Sequence, residues 1–338
     1  MSAYNVAVAG ATGEVGRTML EILEERDFPI DQIHLLASKR SAGTRIQFKG
    51  KSETVQDLSN FDFSNTHIGL FSPGASVSEI YAPRAAAAGC VVIDNTSCFR
   101  RDEDIPLVIP EVNGHRIMDF QARNIIANPN CSTIQMLVAL KPIHDAVGIS
   151  HINVSTYQAV SGSGRSGVEE LAGQTARLLN ATPIENEVFP GQIGFNVLPH
   201  CGDFQENGYT LEEMKLVWET QKIFEDDTIE VNPTCVRVPV FYGHSEAVHI
   251  ETRQSISPGE VSALLASSPG VIVMDDPANG HYPTAVSDAV GTDGVFVGRI
   301  RQNIHSEFGL NLWVVSDNVR KGAALNSVQI AENLTRYL

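Results

Sequence analysis

One cysteine stands where a thiol could act as a nucleophile. The segment Asn128-Pro129-Asn130-Cys131-Ser132-Thr133 precedes an apolar run over residues 134–140. This pattern predicts a helix over 132–147 with Asn130 as its N-cap. Cys131 would then lie in the first turn, where the helix dipole and free N–H groups favour a thiolate. The alternative is an inert buried cysteine, which is the commoner environment for a single thiol.

Other side chains could serve a reaction at that thiol. His244 follows a glycine in RVPVFYGHSE, between two strand-like runs, and could act as an acid or base. Gln158 ends another strand beside a glycine- and serine-rich loop. Glu212 and Lys215 lie three apart on a predicted helix and share a face, as a substrate contact or as a surface ion pair. Arg237 could bind a carboxylate through two hydrogen bonds. For the histidine, the alternative is a purely structural role.

A glycine pattern near the N-terminus favours a dinucleotide site. Gly10, Gly13 and Gly16 follow a short apolar run and open a helical pattern. Glycines let the backbone approach a pyrophosphate, and N–H groups at the helix N-terminus bind it. The alternative is a strand–helix turn without a ligand.

The end of the second predicted strand indicates which dinucleotide is bound. An NAD site usually has an acidic residue there to bind the ribose 2′-hydroxyl. This chain instead has Ser38, Lys39, Arg40 and Ser41, which suit a 2′-phosphate. The sequence therefore predicts NADP, with a solvated basic turn as the alternative. A nucleotide-binding fold followed by Cys131 points to oxidation of an aldehyde through a thioester.

The order of predicted elements divides the chain. Apolar runs alternating with helical patterns predict strands at 5–9, 34–37, 68–72, 91–94, 107–110 and 124–127. Such alternation implies a parallel α/β sheet of the Rossmann type. Longer strand-like runs follow and predict an α+β domain with a mixed, largely antiparallel sheet. A final amphipathic helix over 321–338 is expected to return to the first domain. The predicted domains are therefore 1–128 with 318–338, and 129–317.

Composition narrows the class of protein. The 338 residues include 24 Lys and Arg against 40 Asp and Glu, giving a net charge of −16. This balance argues against nucleic-acid or anionic-membrane partners. Five cysteines without a Cys-x-x-Cys pair fit a reduced cytoplasmic protein and no metal site. The segment MSAYNVAVAG has no charged leader, so no secretory signal is expected.

The motifs taken together resemble one family. GATGEVG, LASKRSAG, DNTSCFR, NPNCSTIQ, YQAVSGSGRSGVEEL, RVPVFYGHSEAVHIE and GAALNSVQIAE occur in order from about residue 4 to the C-terminus. This chain resembles the aspartate-β-semialdehyde dehydrogenases. The resemblance implies NADPH-dependent, reversible reduction of β-aspartyl phosphate to aspartate-β-semialdehyde with release of phosphate. That reaction leads to lysine, methionine, threonine, isoleucine and diaminopimelate. It also implies a homodimer.

The resemblance gives each candidate residue a role. It makes Cys131 the thioester nucleophile, His244 the acid/base and Gln158 an orienting residue. It places Glu212 at the substrate amino group, Arg237 at its carboxylate, and Arg100 and Lys215 at the phosphate. The implied cofactor contacts are Gly10, Thr12, Gly13, Glu14, Val15, Arg40, Ser41, Ser161, Gly162 and Asn326.

Two other functions remain open from the sequence. One is an acyl-phosphate reductase for another substrate, such as N-acetylglutamyl phosphate, whose acetylated amine would not need Glu212. The other is a non-catalytic dinucleotide-binding regulator, although Cys131, Gln158 and His244 are all retained.

Overall fold

The chain forms two compact units. The computed structural model describes residues 3–338, so the first two residues of the predicted first domain lie outside the described residues. The first unit comprises the described part of Met1–Pro129 together with Ala323–Leu338, and the second is Asn130–Gly322.

The first unit is built on a six-stranded parallel sheet with the order β5-β2-β1-β6-β7-β8. Strands such as β6, whose four residues IGLF are all buried, are continuously apolar because helices cover both faces of a parallel sheet. This confirms the predicted Rossmann-type fold. Its elements are β1 (Tyr4–Ala9), α1 (Glu14–Glu25), β2 (Ile30–Ala37), β3 (Arg45–Phe48), β4 (Lys51–Thr54), β5 (Gln56–Asp57), β6 (Ile68–Phe71), α2 (Ala75–Ala87), β7 (Val91–Asp94), α3 (Pro110–Asn113) and β8 (Ile125–Ala127).

The strand predicted at 107–110 is wrong. Leu107 makes only an isolated bridge to Ala127, and Pro110 begins the short helix α3. The Asn113 side chain explains the difference, because it accepts from Ile109 N–H and donates to the Leu107 carbonyl. These hydrogen bonds occupy the Ile109 N–H and the Leu107 carbonyl, which would otherwise pair with a neighbouring strand. The prediction also missed the β3–β4 hairpin, which lies outside the main sheet.

The second unit contains a mixed six-stranded sheet. Its order is β10-β9-β11-β14-β13-β12, in which the two outer pairs are parallel and the three inner pairs antiparallel. The predicted mixed, largely antiparallel sheet is confirmed. Its elements are α4 (Cys131–Val147), β9 (Ile149–Gln158), α5 (Gly164–Leu179), α6 (Leu211–Phe224), β10 (Glu230–Arg237), β11 (His244–Thr252), α7 (Pro258–Ala266), β12 (Val271–Val273), β13 (Val295–Asn303) and β14 (Ser306–Ser316).

Helix α4 packs on one face of this sheet. It contacts β9, β11, β13 and β14, and also packs against α6 and α7. Most of its middle residues are buried, as expected for a helix covered on several sides. The start of α4 lies beside the end of β9, because the side chain of Gln158 donates to Ser132 Oγ.

The last helix belongs to the first unit. Residues Arg320–Ala324 form a π-helical turn, and α8 follows as Leu325–Leu334, which is shorter than the predicted 321–338. Within the first unit, α8 packs against α1, α3, β6 and β7. Its buried apolar residues, including Leu325 and Val328, join the core formed by β1, β6 and α1.

The turn between β1 and α1 generates a stability prediction. A Cβ on Gly16 would lie 2.2 Å from the Gly10 carbonyl oxygen, whereas a Cβ on the helical Gly173 would meet nothing within 4 Å. We expect Gly16→Ala to destabilise the protein by roughly 1–3 kcal/mol through overpacking against backbone. The matched change Gly173→Ala should stabilise it by about 0.5–1 kcal/mol. Urea unfolding of both variants measures this, and equal effects would contradict the close packing at Gly16.

Candidate active site

Cys131 is the first residue of α4. The predicted cap is confirmed, because Asn130 Oδ1 accepts from the N–H groups of Ser132 at 3.0 Å and Thr133 at 3.4 Å. The thiol therefore stands in the first turn, where the helix dipole favours a negative charge. On its other side, a Cβ on Gly322 would lie 2.9 Å from Cys131 Cβ. The backbone at Gly322 approaches so closely that a larger residue would displace the cysteine.

Glu212 binds the same asparagine from α6. Its Oε1 accepts from Asn130 Nδ2 at 2.8 Å, and its Oε2 accepts from Lys215 Nζ at 2.9 Å. Burial by itself would raise the pKa of Glu212, but the Lys215 ammonium and the hydrogen bonds from Lys215 and Asn130 lower it to about 2. A fixed negative charge therefore lies close to the start of α4. The predicted pairing of Glu212 with Lys215 is present within a largely buried setting.

Gln158 and Arg237 lie opposite each other on β9 and β10. Gln158 Nε2 donates to Ser132 Oγ at 3.1 Å and to Glu212 Oε1 at 3.4 Å. Arg237 Nη1 donates to the Ala159 carbonyl at 2.7 Å. Both side chains are buried, so these contacts hold them in single orientations.

His244 begins β11 and is completely buried. The Ala159 N–H donates to its Nδ1 at 3.0 Å, so the neutral ring carries its hydrogen on Nε2. Burial, with a contribution from the charge of Arg237, lowers the pKa of His244 to about 3. Within residues 3–338, Nε2 has no hydrogen-bond partner. The ring is therefore a neutral hydrogen-bond donor.

The loop after β9 joins these groups. A Cβ on Gly162 would lie 2.9 Å from Arg237 Nη1 and 3.5 Å from His244 Nε2. The structure thus brings six predicted residues, together with the predicted Ser161–Gly162 loop, into one linked cluster in the second unit. The six are Cys131, Gln158, Glu212, Lys215, Arg237 and His244.

Asn318 is a residue that sequence reasoning missed. Its Oδ1 accepts from Gly243 N–H at 2.9 Å, and its Nδ2 donates to Ser161 Oγ at 3.0 Å. It therefore ties the Ser161–Gly162 loop to the residue before His244. The available signal was a polar Ser-Asp-Asn run directly after the apolar strand WVV.

The other four cysteines differ from Cys131. Burial raises the pKa of Cys98 and Cys201 to about 11, and it raises the pKa of Cys90 and Cys235 further. None of them begins a helix. Their thiols are poorly suited to become thiolates.

The predicted phosphate loop and basic turn line one cavity in the first unit. Its volume is about 460 Å³, and its boundary includes Gly10, Thr12, Gly13, Ser38, Arg40 and Ser41. Gly10 has a φ of +86°, and a Cβ there would lie 2.5 Å from the Ser72 carbonyl oxygen. Only glycine therefore fits here, because the β1–α1 turn packs directly against the backbone that follows β6. Glu14 and Val15 form the first turn of α1 beside it.

Arg100 and Asn326 also lie in the first unit. Arg100 is buried, and its Nη2 donates to the Asn95 carbonyl at 3.0 Å. Asn128 connects the side chains of Asn95 and Asn326, at 2.8 Å and 2.7 Å. Asn326 is completely buried and also donates to the Val108 carbonyl. Its amide group is therefore engaged within the first unit.

Metal-binding clusters and membrane-spanning helices are both absent from residues 3–338. No group of three or more histidine, cysteine or acidic side chains there could hold a metal ion. None of the helices in that range combines the length and apolar character required to cross a membrane.

Comparisons with known proteins decide the family. Residues 5–120 match the family model described as "Semialdehyde dehydrogenase, NAD binding domain", and residues 140–321 match "Semialdehyde dehydrogenase, dimerisation domain". An aspartate-semialdehyde dehydrogenase from Shewanella violacea is 62% identical over 98% of each chain. The chain belongs to the aspartate-semialdehyde dehydrogenase family. The first unit accordingly contains a dinucleotide-binding domain of this family.

Solved structures of aspartate-semialdehyde dehydrogenases share the fold. Enzyme II from Vibrio cholerae, in a crystal structure complexed with ASA, is 60% identical, covers 99% of both chains and gives a TM-score of 0.98. An aspartate-semialdehyde dehydrogenase from Candida albicans, solved with NADP, is 26% identical over 99% of both chains with a TM-score of 0.75.

The pKa of His244 generates a prediction about stability. An unfolded histidine takes up a proton near pH 6.5, but His244 in the folded protein does so only near pH 3. Stability should therefore fall as the pH drops below 6.5, by about 2 kcal/mol at pH 5. His244→Asn removes this titration, so its free energy of unfolding should fall by about 2 kcal/mol less between pH 7 and pH 5.

Urea unfolding at the two pH values measures the difference between the wild type and His244→Asn. Glu212 contributes little to this pH dependence, because its pKa is about 2 in the folded protein and near 4.5 in the unfolded chain, and both values lie below pH 5. Parallel pH dependences of the two proteins would show that His244 takes up its proton as readily in the folded protein as in the unfolded chain.

Proposed function

We propose that this protein is an NADP-dependent aspartate-semialdehyde dehydrogenase. It would convert L-aspartate 4-semialdehyde and phosphate reversibly into L-4-aspartyl phosphate. The observation that carries this proposal is the linked cluster of Cys131, Gln158, Glu212, Arg237 and His244 at the start of α4. Membership of the family supports it. The direct test is phosphate-dependent NADP reduction with aspartate semialdehyde, with N-acetylglutamate semialdehyde as the alternative substrate.

The polar groups match the two ends of the amino-acid substrate. Glu212 is negatively charged and would bind the substrate ammonium group. Arg237 lies across β9 from His244 and would bind the α-carboxylate through its planar guanidinium group. An N-acetylated substrate has no ammonium group, so the buried charge of Glu212 would then face a neutral amide. This favours the unmodified amino acid.

The covalent step takes place at Cys131. In the oxidative direction, the thiolate adds to the aldehyde carbon and the carbonyl oxygen becomes negative. His244, the proposed acid/base, begins as a donor, and its Nε2–H can stabilise that oxygen. Gln158 would orient the carbonyl beside Ser132. Loss of a hydride from the same carbon leaves an acyl thioester on Cys131.

Phosphate then completes the oxidative reaction. Arg100 and Lys215 would hold it, and one of its oxygens attacks the thioester carbon. The carbon–sulfur bond breaks, aspartyl phosphate forms and Cys131 returns to the thiolate. Water must be kept from the thioester, because hydrolysis would release aspartate instead.

The cavity in the first unit would hold NADP. When bound there, NADP would supply the hydride acceptor of the oxidative direction and NADPH the hydride donor of the reverse reaction. The close backbone at Gly10 and Gly13 and the start of α1 suit the pyrophosphate. Arg40 and Ser41 suit the 2′-phosphate.

Asp57 also lines the cavity, but its carboxylate already accepts three hydrogen bonds from Ser59 and Asn60. Further contacts to the cofactor are proposed for Ser161, Gly162 and Asn326.

The setting in the cell follows from this activity. Residues 1–128 with 318–338 would bind the cofactor, and residues 129–317 would carry catalysis and form a homodimer. The five cysteines form no disulfides, which fits the reducing cytoplasm. The reaction would supply lysine, threonine, methionine, isoleucine and diaminopimelate biosynthesis.

The nucleophile provides the sharpest test. Cys131→Ala should abolish turnover, because no other thiol begins a helix in the cluster, while NADPH affinity should stay within about threefold. Cys131→Ser should be nearly as inactive, since a hydroxyl is far less ionised than a thiol. Steady-state rates and fluorescence titration with NADPH measure the two effects. Appreciable dehydrogenase activity in Cys131→Ala would exclude the thioester mechanism.

Cofactor choice is tested at Arg40. Arg40→Ala should weaken NADP binding by roughly 10- to 150-fold, the value of a charge-assisted hydrogen bond of 1.5–3 kcal/mol. NAD lacks the 2′-phosphate, so its binding should change little. Arg45→Ala is a control that removes a nearby exposed charge on β3, which does not line the cavity. Equal losses for NADP and NAD would mean that Arg40 does not bind the phosphate.

A further inference from the structure

A second buried carboxyl group on α6 is directed at the residue before the nucleophile. Glu219 Oε2 accepts from the Asn130 backbone N–H at 2.7 Å. Glu219 is 3% exposed and Asn130 is 5% exposed, so water does not compete for this contact. Glu212 and Glu219 are seven residues apart, which is two helical turns, and therefore share one face of α6.

These contacts engage all the polar side-chain atoms of Asn130 and its backbone N–H. Its Nδ2 donates to Glu212, its backbone N–H donates to Glu219, and its Oδ1 accepts from the first N–H groups of α4. Asn130 is thus held at three points, two of them on α6. Because Cys131 is the next residue, the position of its sulfur depends on these contacts.

We propose that Glu219 is a positioning residue for Cys131. This proposal rests on the proposed function, in which Glu212 also binds the substrate. Its Oε1, which holds Asn130 Nδ2, also lies 3.4 Å from Gln158 Nε2 and is the group assigned to the substrate ammonium. When the substrate engages Glu212, the backbone contact to Glu219 keeps Asn130 in place. Glu219 then maintains the sulfur at the first turn of α4 throughout the reaction.

Glu213 provides a matched control on the same helix. Its carboxyl group is also buried, and it accepts two backbone N–H groups, from Thr210 at 2.6 Å and Cys235 at 2.9 Å. Those contacts cap α6 and bind β10 without touching Asn130. Loss of Glu213 should therefore affect stability in a similar way without displacing Cys131.

The test compares Gln and Leu variants at both positions. Glutamine keeps an oxygen that can accept the Asn130 N–H, whereas leucine keeps volume and removes the acceptor. We expect kcat to fall by about 10- to 100-fold in Glu219→Leu and less than 10-fold in Glu219→Gln, because small displacements of reacting groups have large effects. KM for aspartate semialdehyde should change less than threefold. The Glu213 variants should keep kcat within threefold.

A second readout needs no substrate. The rate at which iodoacetamide alkylates Cys131 is measured against pH, with Cys131→Ala as the blank for other thiols. The Glu219 variants should shift this profile to higher pH, because the sulfur leaves the first-turn N–H groups that favour the thiolate. The Glu213 variants should keep the wild-type profile.

The outcomes are distinct. Equal profiles and equal kcat values for the Glu219 and Glu213 variants would overturn the proposal. If the leucine variants do not fold, the glutamine pair decides, because a neutral amide oxygen is a weaker acceptor than a carboxylate and Glu219→Gln should still lower kcat more than Glu213→Gln does. If the alkylation profile shifts as expected but the wild type does not oxidise aspartate semialdehyde, the positioning role stands and the proposed function fails.

Discussion

The site depends on one buried residue, Asn130, which joins the start of α4 to α6. Its side chain caps the helix that begins with Cys131, and both its donors are satisfied by carboxyl groups of α6. A buried amide or carboxyl group without a partner is costly, so each of these groups requires the others. The arrangement therefore links the geometry of the nucleophile to the packing of two helices. Loss of any one contact would leave the remaining polar groups buried and unsatisfied.

Burial disfavours the charged forms of both Glu212 and His244, yet the two groups end in opposite charge states. Glu212 stays charged because the Lys215 ammonium outweighs desolvation, whereas His244 stays neutral because desolvation and the charge of Arg237 both disfavour its protonated form. Environments that separate the charge states of nearby groups are typical of active sites. In the proposed function, a chain with a net charge of −16 would bind its anionic substrates through local cations such as Lys215 and Arg237.

Local sequence signals predicted the parts of the site that depend on local geometry. The Asn130 cap follows from neighbouring residues, and the helix predicted to carry Glu212 and Lys215 is present as α6. Contacts between distant segments were not predictable in this way. Glu219 meets Asn130, 89 residues away, and Asn318 meets Ser161, 157 residues away. The false strand at 107–110 has a local origin instead, because the side chain of Asn113 binds the backbone of Ile109 and Leu107 and competes with the expected strand pairing.

His244 shows that the site is built for the reaction rather than for stability. Its Nε2–H is buried without a hydrogen-bond partner among residues 3–338, which disfavours the folded state of the free protein. A substrate oxygen beside Gly162 would satisfy this donor, and most strongly when that oxygen carries a negative charge. The free-energy cost of the unsatisfied Nε2–H is therefore present before the substrate binds. It is relieved as the substrate oxygen becomes charged. A replacement that still accepts the Ala159 N–H but lacks the Nε2–H would remove that cost together with the donor, so stability and activity oppose each other at this position.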